Sequence, residues 1–141
     1  MNENLKLSNQ LCFPIYCLSK EIISAYRPFL EAMDITYSQY LVLIVLWEFE
    51  QLSVKEIGEK LDLDSGTLTP LLKRLETKNI VTRNRSTEDE RMVLIALTSK
   101  GIELREKATC IPQQLMNQVQ LTNEEQTQLK TIINKILQNL K

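Results

Sequence analysis

Apolar and polar residues recur along the chain at spacings that predict mostly helices. Three hydroxyl residues stand three positions before a Gln or Glu, the spacing of a capping box at the start of a helix; they are Thr36, Ser53 and Thr122. Beyond the last of them, apolar residues recur at helical spacing with Asn, Gln and Lys opposite: Leu129, Ile132, Ile133, Ile136, Leu137 and Leu140. Such a stripe predicts an amphipathic helix that needs a partner surface.

Two more stretches favour long helices, one over about residues 8–30 and one over about 99–119. Proline interrupts both, at Pro14 and Pro28 in the first and at Pro112 in the second. Their lengths predict a helical platform formed by the two ends of the chain.

Only one region has the residues of a β-structure. Residues 80–85 and 91–98, the second with a Val-Leu-Ile run, flank a polar loop at 86–90 and predict a single hairpin. Two strands are not stable as a sheet by themselves, so we expect the hairpin to pack against the helices.

Composition then excludes several functions. The 141 residues, 43% hydrophobic and 25% charged, match one globular domain. The chain has no histidine, and its cysteines are Cys12, Cys17 and Cys110. These two facts exclude the usual zinc sites and triads with a histidine base, and with them much of hydrolase chemistry. We expect no cofactor and no enzyme activity. The longest apolar run, residues 40–47, is too short for a bilayer, and scattered cysteines fit a reducing compartment, so we expect a soluble cytoplasmic protein.

Residues 53–79 have the spacing of a helix-turn-helix. A short helix at 54–61 and a tight connection at 62–64 precede a second helix. We expect its buried side to carry Leu68, Leu71, Leu72 and Leu75. We expect its outward side to present Ser65, Thr67, Thr69, Lys73 and Arg74 to DNA bases and phosphates. Because proline removes a backbone hydrogen bond, Pro70 fits best if the helix proper begins near Thr67.

Charge supports the same region. Residues 65–85 contain five basic residues and one acidic residue, a local charge of +4, whereas the other residues together carry −5. Arg83 and Arg85 extend this basic patch from the second helix into the hairpin. Solvated surface charge is the usual explanation for such a run, but its coincidence with the helix pair favours DNA binding.

The run Leu63-Asp-Ser-Gly-Thr-Leu-Thr-Pro-Leu-Leu-Lys-Arg-Leu-Glu76, followed by Arg83-Asn-Arg-Ser-x-x-Asp-Glu-Arg91, resembles the MarR family of winged-helix regulators, and within it the OhrR/MgrA/SarZ branch of thiol-based oxidation sensors. The resemblance implies one mainly α (α+β) domain over 1–141. Its winged helix-turn-helix would occupy about 35–98, and its dimerisation helices about 5–32 and 99–141. It also implies that Arg91 enters the minor groove while Asp89 orients it by an ion pair, which suits a guanidinium in a narrow, negative groove.

The N-terminal segment from Asn9 to Phe13 resembles the part of this branch that holds a reactive cysteine, which makes Cys12 the sensor candidate. A helix N-terminus favours a thiolate, and Tyr16 lies four residues on, on the same face. The resemblance adds Tyr26 as a second hydrogen-bond donor to the thiol. Because 14 residues of helix give a rise of ~21 Å, Tyr26 cannot reach the Cys12 of its own helix and would contact the Cys12 of the second subunit. Cys110 is a candidate resolving thiol, and Cys17 is expected to be structural.

We therefore predict a homodimeric regulator, a repressor by the resemblance, that binds double-stranded DNA at a pseudopalindromic operator and releases it when an organic hydroperoxide oxidises Cys12. One alternative is a MarR-type regulator that responds to a small aromatic ligand, with Cys12 structural. A second alternative is a thiol peroxidase. The sequence leaves open the operator, the oxidant and the choice between a one-cysteine and a two-cysteine route.

Overall fold

The computed structural model describes residues 2–141, in which seven α-helices and three short strands follow two 3-10 helices, Glu3–Leu5 and Leu7–Asn9. In chain order the elements are α1 (Cys12–Ala32), α2 (Tyr37–Phe49), β1 (Gln51–Ser53), α3 (Val54–Leu61), α4 (Ser65–Thr77), β2 (Val81–Arg85), β3 (Val93–Leu97), α5 (Ser99–Ala108), α6 (Ile111–Val119) and α7 (Asn123–Leu140). The described residues form two compact units. The first ends at Thr109, and the second comprises Cys110–Lys141. The mainly helical fold predicted from the sequence is confirmed.

All three predicted capping boxes form, at the starts of α2, α3 and α7. In each, the hydroxyl of the first residue accepts a hydrogen bond from the backbone amide of the residue three positions later. The side chain of that later residue accepts a hydrogen bond from the backbone amide of the first. At α3 these bonds join Ser53 and Glu56 at 3.1 and 2.7 Å. The amide of Ser53 favours the charged carboxylate and lowers the pKa of Glu56.

The sheet has three antiparallel strands in the order β1-β3-β2. The predicted β2–β3 hairpin is present, with Val81 opposite Leu97. The prediction of a single hairpin is wrong, because β1 adds a third strand that pairs Leu52 with Ile95. Since β1 leads directly into α3, the sheet fixes the start of the helix-turn-helix.

The core of the first unit is formed by α2, α3, α4 and the sheet. Its largest fully buried side chains in this region are Leu43, Leu46, Ile57, Leu68, Leu72, Leu75, Ile80 and Ile95. The predicted buried face of α4 is confirmed, because all four of its leucines are at most 7% exposed. Each such side chain contributes about 1.5–3 kcal/mol to stability by leaving water, so the buried face of α4 anchors the helix to the core.

The connection between α3 and α4 is the predicted one, at residues 62–64. Asp62 adopts a left-handed φ of 56° and ends α3 by donating its amide to the Gly58 carbonyl. The amide of Leu63 donates to the same oxygen at 2.9 Å. Asp64 then caps α4, because its carboxylate accepts from the Thr67 amide at 2.7 Å. These bonds fix the angle at which α4 leaves α3.

Beyond α3, two helix boundaries differ from the predictions. The prediction that α4 begins near Thr67 is wrong, because the Asp64 cap starts it two residues earlier, and Pro70 lies inside the helix. The predicted long helix over 99–119 is two helices, α5 and α6. Pro112 lies in the first turn of α6, where an amide has no helical acceptor to lose.

Two contacts set the position of α5 in the first unit. The indole of Trp47, in α2, donates to the Gly101 carbonyl at 2.9 Å. A Cβ at Gly101 would collide with the Ile80 carbonyl and lie 2.9 Å from Leu97. The absence of a side chain at Gly101 therefore lets α5 approach the end of the hairpin.

The N-terminal helix starts later than predicted, at Cys12, and residues 7–9 form a 3-10 helix. Pro14 occupies the first turn of α1, and Pro28 lies inside the helix. Among the described residues, no single helix is long and apolar enough to cross a membrane; α1 and α2 pass that test only as a pair bent by 72°.

The second unit contains α6 and α7. None of the described side chains of α7 is buried. The apolar stripe predicted for this helix is present and is exposed at Leu129, Ile132, Ile133, Leu137 and Leu140, while Ile136 is half-buried.

Candidate nucleic-acid interface and sensor cysteine

The outward face of α4 carries the side chains that the sequence assigned to DNA. Ser65, Thr67, Lys73 and Arg74 are exposed, and Thr69 is half-buried. The Thr69 hydroxyl donates to the Ser65 carbonyl at 2.8 Å, so its donor is used within the helix. The N-terminus of α4 therefore presents small hydroxyl residues, with two adjacent cations about two turns farther along, as a recognition helix does.

The basic patch of residues 65–85 is only partly available to a ligand. Lys78 pairs with Asp34 at 3.6 Å, and Arg83 approaches Glu76 at 3.8 Å with its side chain 20% exposed. The Nε atom of Arg83 is buried without a hydrogen-bond partner in the described part of the chain. Lys73 and Arg74 remain exposed, and so does Arg85, whose guanidinium donates to a carbonyl of the wing. Arg83 therefore links β2 to α4 through Glu76, and its predicted contact with DNA stays a prediction.

The loop between β2 and β3, residues 86–92, forms the wing. At its tip the Asp89 carboxylate accepts from the backbone amide of Arg91 at 3.0 Å, from Nε at 3.2 Å and from Nη2 at 3.5 Å. The Arg91 side chain is 91% exposed and that of Asp89 is 38% exposed. The structure thus brings together the pair that the motif predicted, with the guanidinium projecting into solvent.

A groove between α3, the start of α4 and the wing contains acidic residues that the sequence reasoning missed. Five carboxylates line it together with three cations: Glu56, Glu59, Asp62, Asp64 and Asp89, with Lys55, Arg83 and Arg91. The positive charge is therefore concentrated on α4 and at the wing tip. In the sequence, the density of Asp and Glu in residues 56–64 was the feature that could have predicted this acidic surface.

Cys12 is exposed and is the first residue of α1. The residue before it, Leu11, supplies no side-chain cap, so the first amides of the helix are open to an anion. Tyr16 is 60% exposed, and the Lys20 ammonium lies 4.6 Å from the centre of its ring. The thiol is therefore accessible to a small oxidant at the N-terminal end of α1.

Tyr26 belongs to an aromatic cluster near the other end of α1. Its ring centre lies 4.9 Å from that of Tyr37 and 5.6 Å from that of Tyr40. Burial raises the pKa of Tyr26 to about 12, with a further contribution from the two neighbouring phenols. Tyr26 is thus a neutral hydrogen-bond donor at any ordinary pH. Since ~21 Å of helix separates it from Cys12 in one chain, its predicted contact with the thiol requires a second copy.

The other two cysteines lie in different surroundings. Cys17 is half-buried within α1, and Cys110 is exposed. The sequence placed Cys110 inside a long helix, but it lies at the junction between α5 and α6, where it is the residue before the first of α6.

The family model of the transcriptional regulators SarA/Rot matches residues 24–108, from the second half of α1 to the end of α5. A relative from Bacillus subtilis (strain 168), the "Organic hydroperoxide resistance transcriptional regulator", is 49% identical over 138 residues, which cover 98% of this chain and 94% of the relative. The chain belongs to the SarA/Rot family of transcriptional regulators. The MarR-like winged helix predicted from the α4 and wing motifs is confirmed by this membership.

Other proteins also match over most of the chain. The regulator SarZ of Staphylococcus epidermidis is 46% identical over 123 residues, which cover 87% of this chain and 83% of SarZ. Reduced AbfR bound to DNA is 35% identical and superposes with a TM-score of 0.82, covering 99% of this chain and 98% of AbfR. Overoxidised AbfR bound to DNA gives a TM-score of 0.81, and disulfide-formed AbfR gives 0.66. This SarA/Rot family member thus resembles the two DNA-bound forms of AbfR more than the disulfide form.

Proposed function

We propose that this regulator binds double-stranded DNA as a homodimer, with two α4 helices in successive major grooves about one helical turn apart. The observation that carries the proposal is the pairing of an exposed hydroxyl and cationic face on α4 with a wing whose Arg91 is held outward by Asp89. The similarity to DNA-bound AbfR supports it. Arg91 would then enter the minor groove beside each half-site.

Exposed apolar residues on the terminal helices support the homodimer. On α1 they include Phe13, Ile15 and Leu18, and on α7 they include Ile132 and Leu137. Isolated apolar side chains are normal on a surface, but stripes of them on a helix mark a contact surface. A second copy would cover them, and a two-fold dimer would read a pseudopalindrome.

The regulator would sense organic hydroperoxide through Cys12. The thiolate attacks one oxygen of the peroxide, an S–O bond forms, the O–O bond breaks, and the alkoxide leaves as an alcohol after taking up a proton. Sulfur is oxidised to a sulfenic acid, and the peroxide is reduced. The exposure of Cys12 at the start of α1 and the name of the Bacillus subtilis relative support this role. Tyr16 and a Tyr26 of the second copy would donate hydrogen bonds to the thiolate.

The sulfenic acid would lead to release of DNA by either a one-cysteine or a two-cysteine route. In the two-cysteine route the Cys110 thiol of the second copy attacks the sulfenic sulfur, a disulfide forms, and water leaves. The existence of overoxidised AbfR bound to DNA favours this route, because in that relative a higher oxidation state is compatible with DNA. In either route the product would shift the dimer toward an arrangement whose α4 spacing no longer matches the half-sites.

Binding to the DNA upstream of the protein's own gene tests the proposal, at fixed salt, before and after one equivalent of organic hydroperoxide. We expect peroxide to release the wild type and the matched control Cys17→Ser, and to leave Cys12→Ser bound. Retention of Cys110→Ser under the same dose would assign the two-cysteine route. If peroxide releases Cys12→Ser as it releases the wild type, Cys12 is not the sensor.

If peroxide releases none of these proteins, Cys12 is structural, and the aromatic-ligand alternative replaces the redox proposal. Membership of a regulator family favours a protein that is not an enzyme over a thiol peroxidase. Repression rather than activation and the cytoplasmic location stay predictions.

A further inference from the structure

One polar residue of the wing is buried although the wing itself is exposed. Ser86 is 9% exposed, whereas Thr87, Glu88 and Glu90 are exposed, and Met92 is 40% exposed. A buried hydroxyl must have hydrogen-bond partners to offset its loss of water. Its partners therefore show what it does.

The Ser86 hydroxyl accepts hydrogen bonds from two successive backbone amides of the wing. The amide of Glu88 lies at 3.2 Å and that of Asp89 at 3.4 Å. The backbone closes the same loop, because the amide of Ser86 donates to the Met92 carbonyl at 2.8 Å and the amide of Met92 donates to the Asp89 carbonyl at 2.9 Å. Asp89 is thus held through both of its backbone groups.

The side chain of Asp89 passes this constraint on to Arg91. Its carboxylate holds Arg91 by the backbone amide and by two nitrogens of the guanidinium. The bonds run from the Ser86 hydroxyl to the Asp89 backbone, then from the Asp89 carboxylate to Arg91. Exposed ion pairs are weak when both partners move freely, so fixing the backbone of Asp89 makes the pair more effective at aiming the guanidinium.

We propose that Ser86 is a positioning residue for DNA recognition: its buried hydroxyl fixes the wing tip so that Asp89 presents Arg91 in the conformation that enters the minor groove. The inference rests on the proposed DNA-binding function. Ser86 would act through the backbone of Asp89, without a contact of its own with DNA. Its contribution lies in the order that it imposes on Arg91 before binding.

A double-mutant cycle tests this role on the DNA upstream of the protein's own gene. Ser86→Ala should weaken binding about threefold to tenfold, the range expected from one or two lost hydrogen bonds. In the Arg91→Ala background the same change should have almost no effect, because the residue through which Ser86 acts is already gone. Thr87→Ala, an exposed neighbour in the same loop, is the matched control and should bind as the wild type does.

Two further readouts separate positioning from damage to the fold. The melting temperature of Ser86→Ala shows whether the protein remains folded, and Ser86→Thr, which keeps the hydroxyl, should restore binding. The dependence of affinity on salt should stay unchanged in Ser86→Ala, because no phosphate contact is removed.

Equal weakening by Ser86→Ala in both backgrounds would overturn the inference, since Ser86 would then act independently of Arg91. Wild-type affinity in Ser86→Ala would also overturn it. If Arg91→Ala alone binds as the wild type does, the proposed role of the wing fails first, and the inference about Ser86 fails with it.

Discussion

Replacement of Gly58 by alanine should disturb the angle between α3 and α4. An added Cβ would lie 2.6 Å from the Leu63 carbonyl oxygen and 3.2 Å from a methyl group of Leu68. The first of these atoms belongs to the backbone of the helix-turn-helix connection, which also bonds to the Gly58 carbonyl. The oxygen cannot rotate away as the end of a side chain would. The connection must therefore shift and move α4 with it.

The magnitude follows from two opposing terms. Alanine in a helix interior is favoured over glycine by about 1 kcal/mol. Overpacking costs about 1–3 kcal/mol, and a backbone clash belongs in the upper part of that range. The net loss in the free energy of unfolding of Gly58→Ala should thus be about 1–2 kcal/mol, which lowers Tm by roughly 3–8 °C.

Thermal unfolding followed by circular dichroism measures this effect, and Gly66→Ala is the matched control. A Cβ at Gly66 would approach only the Asp64 carboxylate, at 3.3 Å. That variant should be as stable as the wild type or slightly more stable. Binding to the upstream DNA should be weaker for Gly58→Ala because α4 has moved. A wild-type Tm for Gly58→Ala would refute the argument that this close approach fixes the connection.

Four other substitutions test local features of the structure. Ser53→Ala removes the hydroxyl cap of α3 and should cost about 1 kcal/mol in urea unfolding, with recovery in Ser53→Asp or Ser53→Asn. Because the pKa of Glu56 is lowered, its stabilising bond is present above the pKa of the unfolded state and is lost as the pH falls through the folded pKa; Glu56→Gln should remove this acid dependence. With a folded pKa of about 12, Tyr26 should stabilise the protein fully below pH 10 and lose this contribution as the pH rises toward 12; Tyr26→Phe should flatten the alkaline stability profile, and an unchanged profile would contradict the assignment. Trp47→Phe removes the donor to the Gly101 carbonyl and should destabilise the protein by about 1–2 kcal/mol in thermal unfolding, whereas an unchanged Tm would mean that the bond contributes nothing.

Local interactions explain why much of the fold was predictable. The capping boxes at Thr36, Ser53 and Thr122 each involve residues three positions apart, so the sequence alone contains both partners. The buried leucines of α4 follow its helical period, and the wing pair is separated by a single residue. Features of this kind need no knowledge of tertiary contacts.

Features that depend on distant partners were not predictable in the same way. Strand β1 has only three residues and exists because Leu52 meets Ile95, 43 positions later in the chain. Arg83 looked like a free cation, yet it lies against Glu76 with most of its surface covered. The acidic groove likewise forms only when α3 and the wing come together.

The predicted contact between Cys12 and Tyr26 cannot form within one chain, for a reason of geometry. Cys12 and Tyr26 lie on the same helix, whose regular rise holds them ~21 Å apart however the rest of the molecule moves. A hydrogen bond between them therefore requires another copy, in which a second α1 runs past the first. The neutral phenol of Tyr26 and the exposed thiol are each suited to such a contact, but only the arrangement of two chains can create it. Redox sensing and dimerisation would then depend on one interface, so oxidation at Cys12 would act directly on the spacing of the two recognition helices.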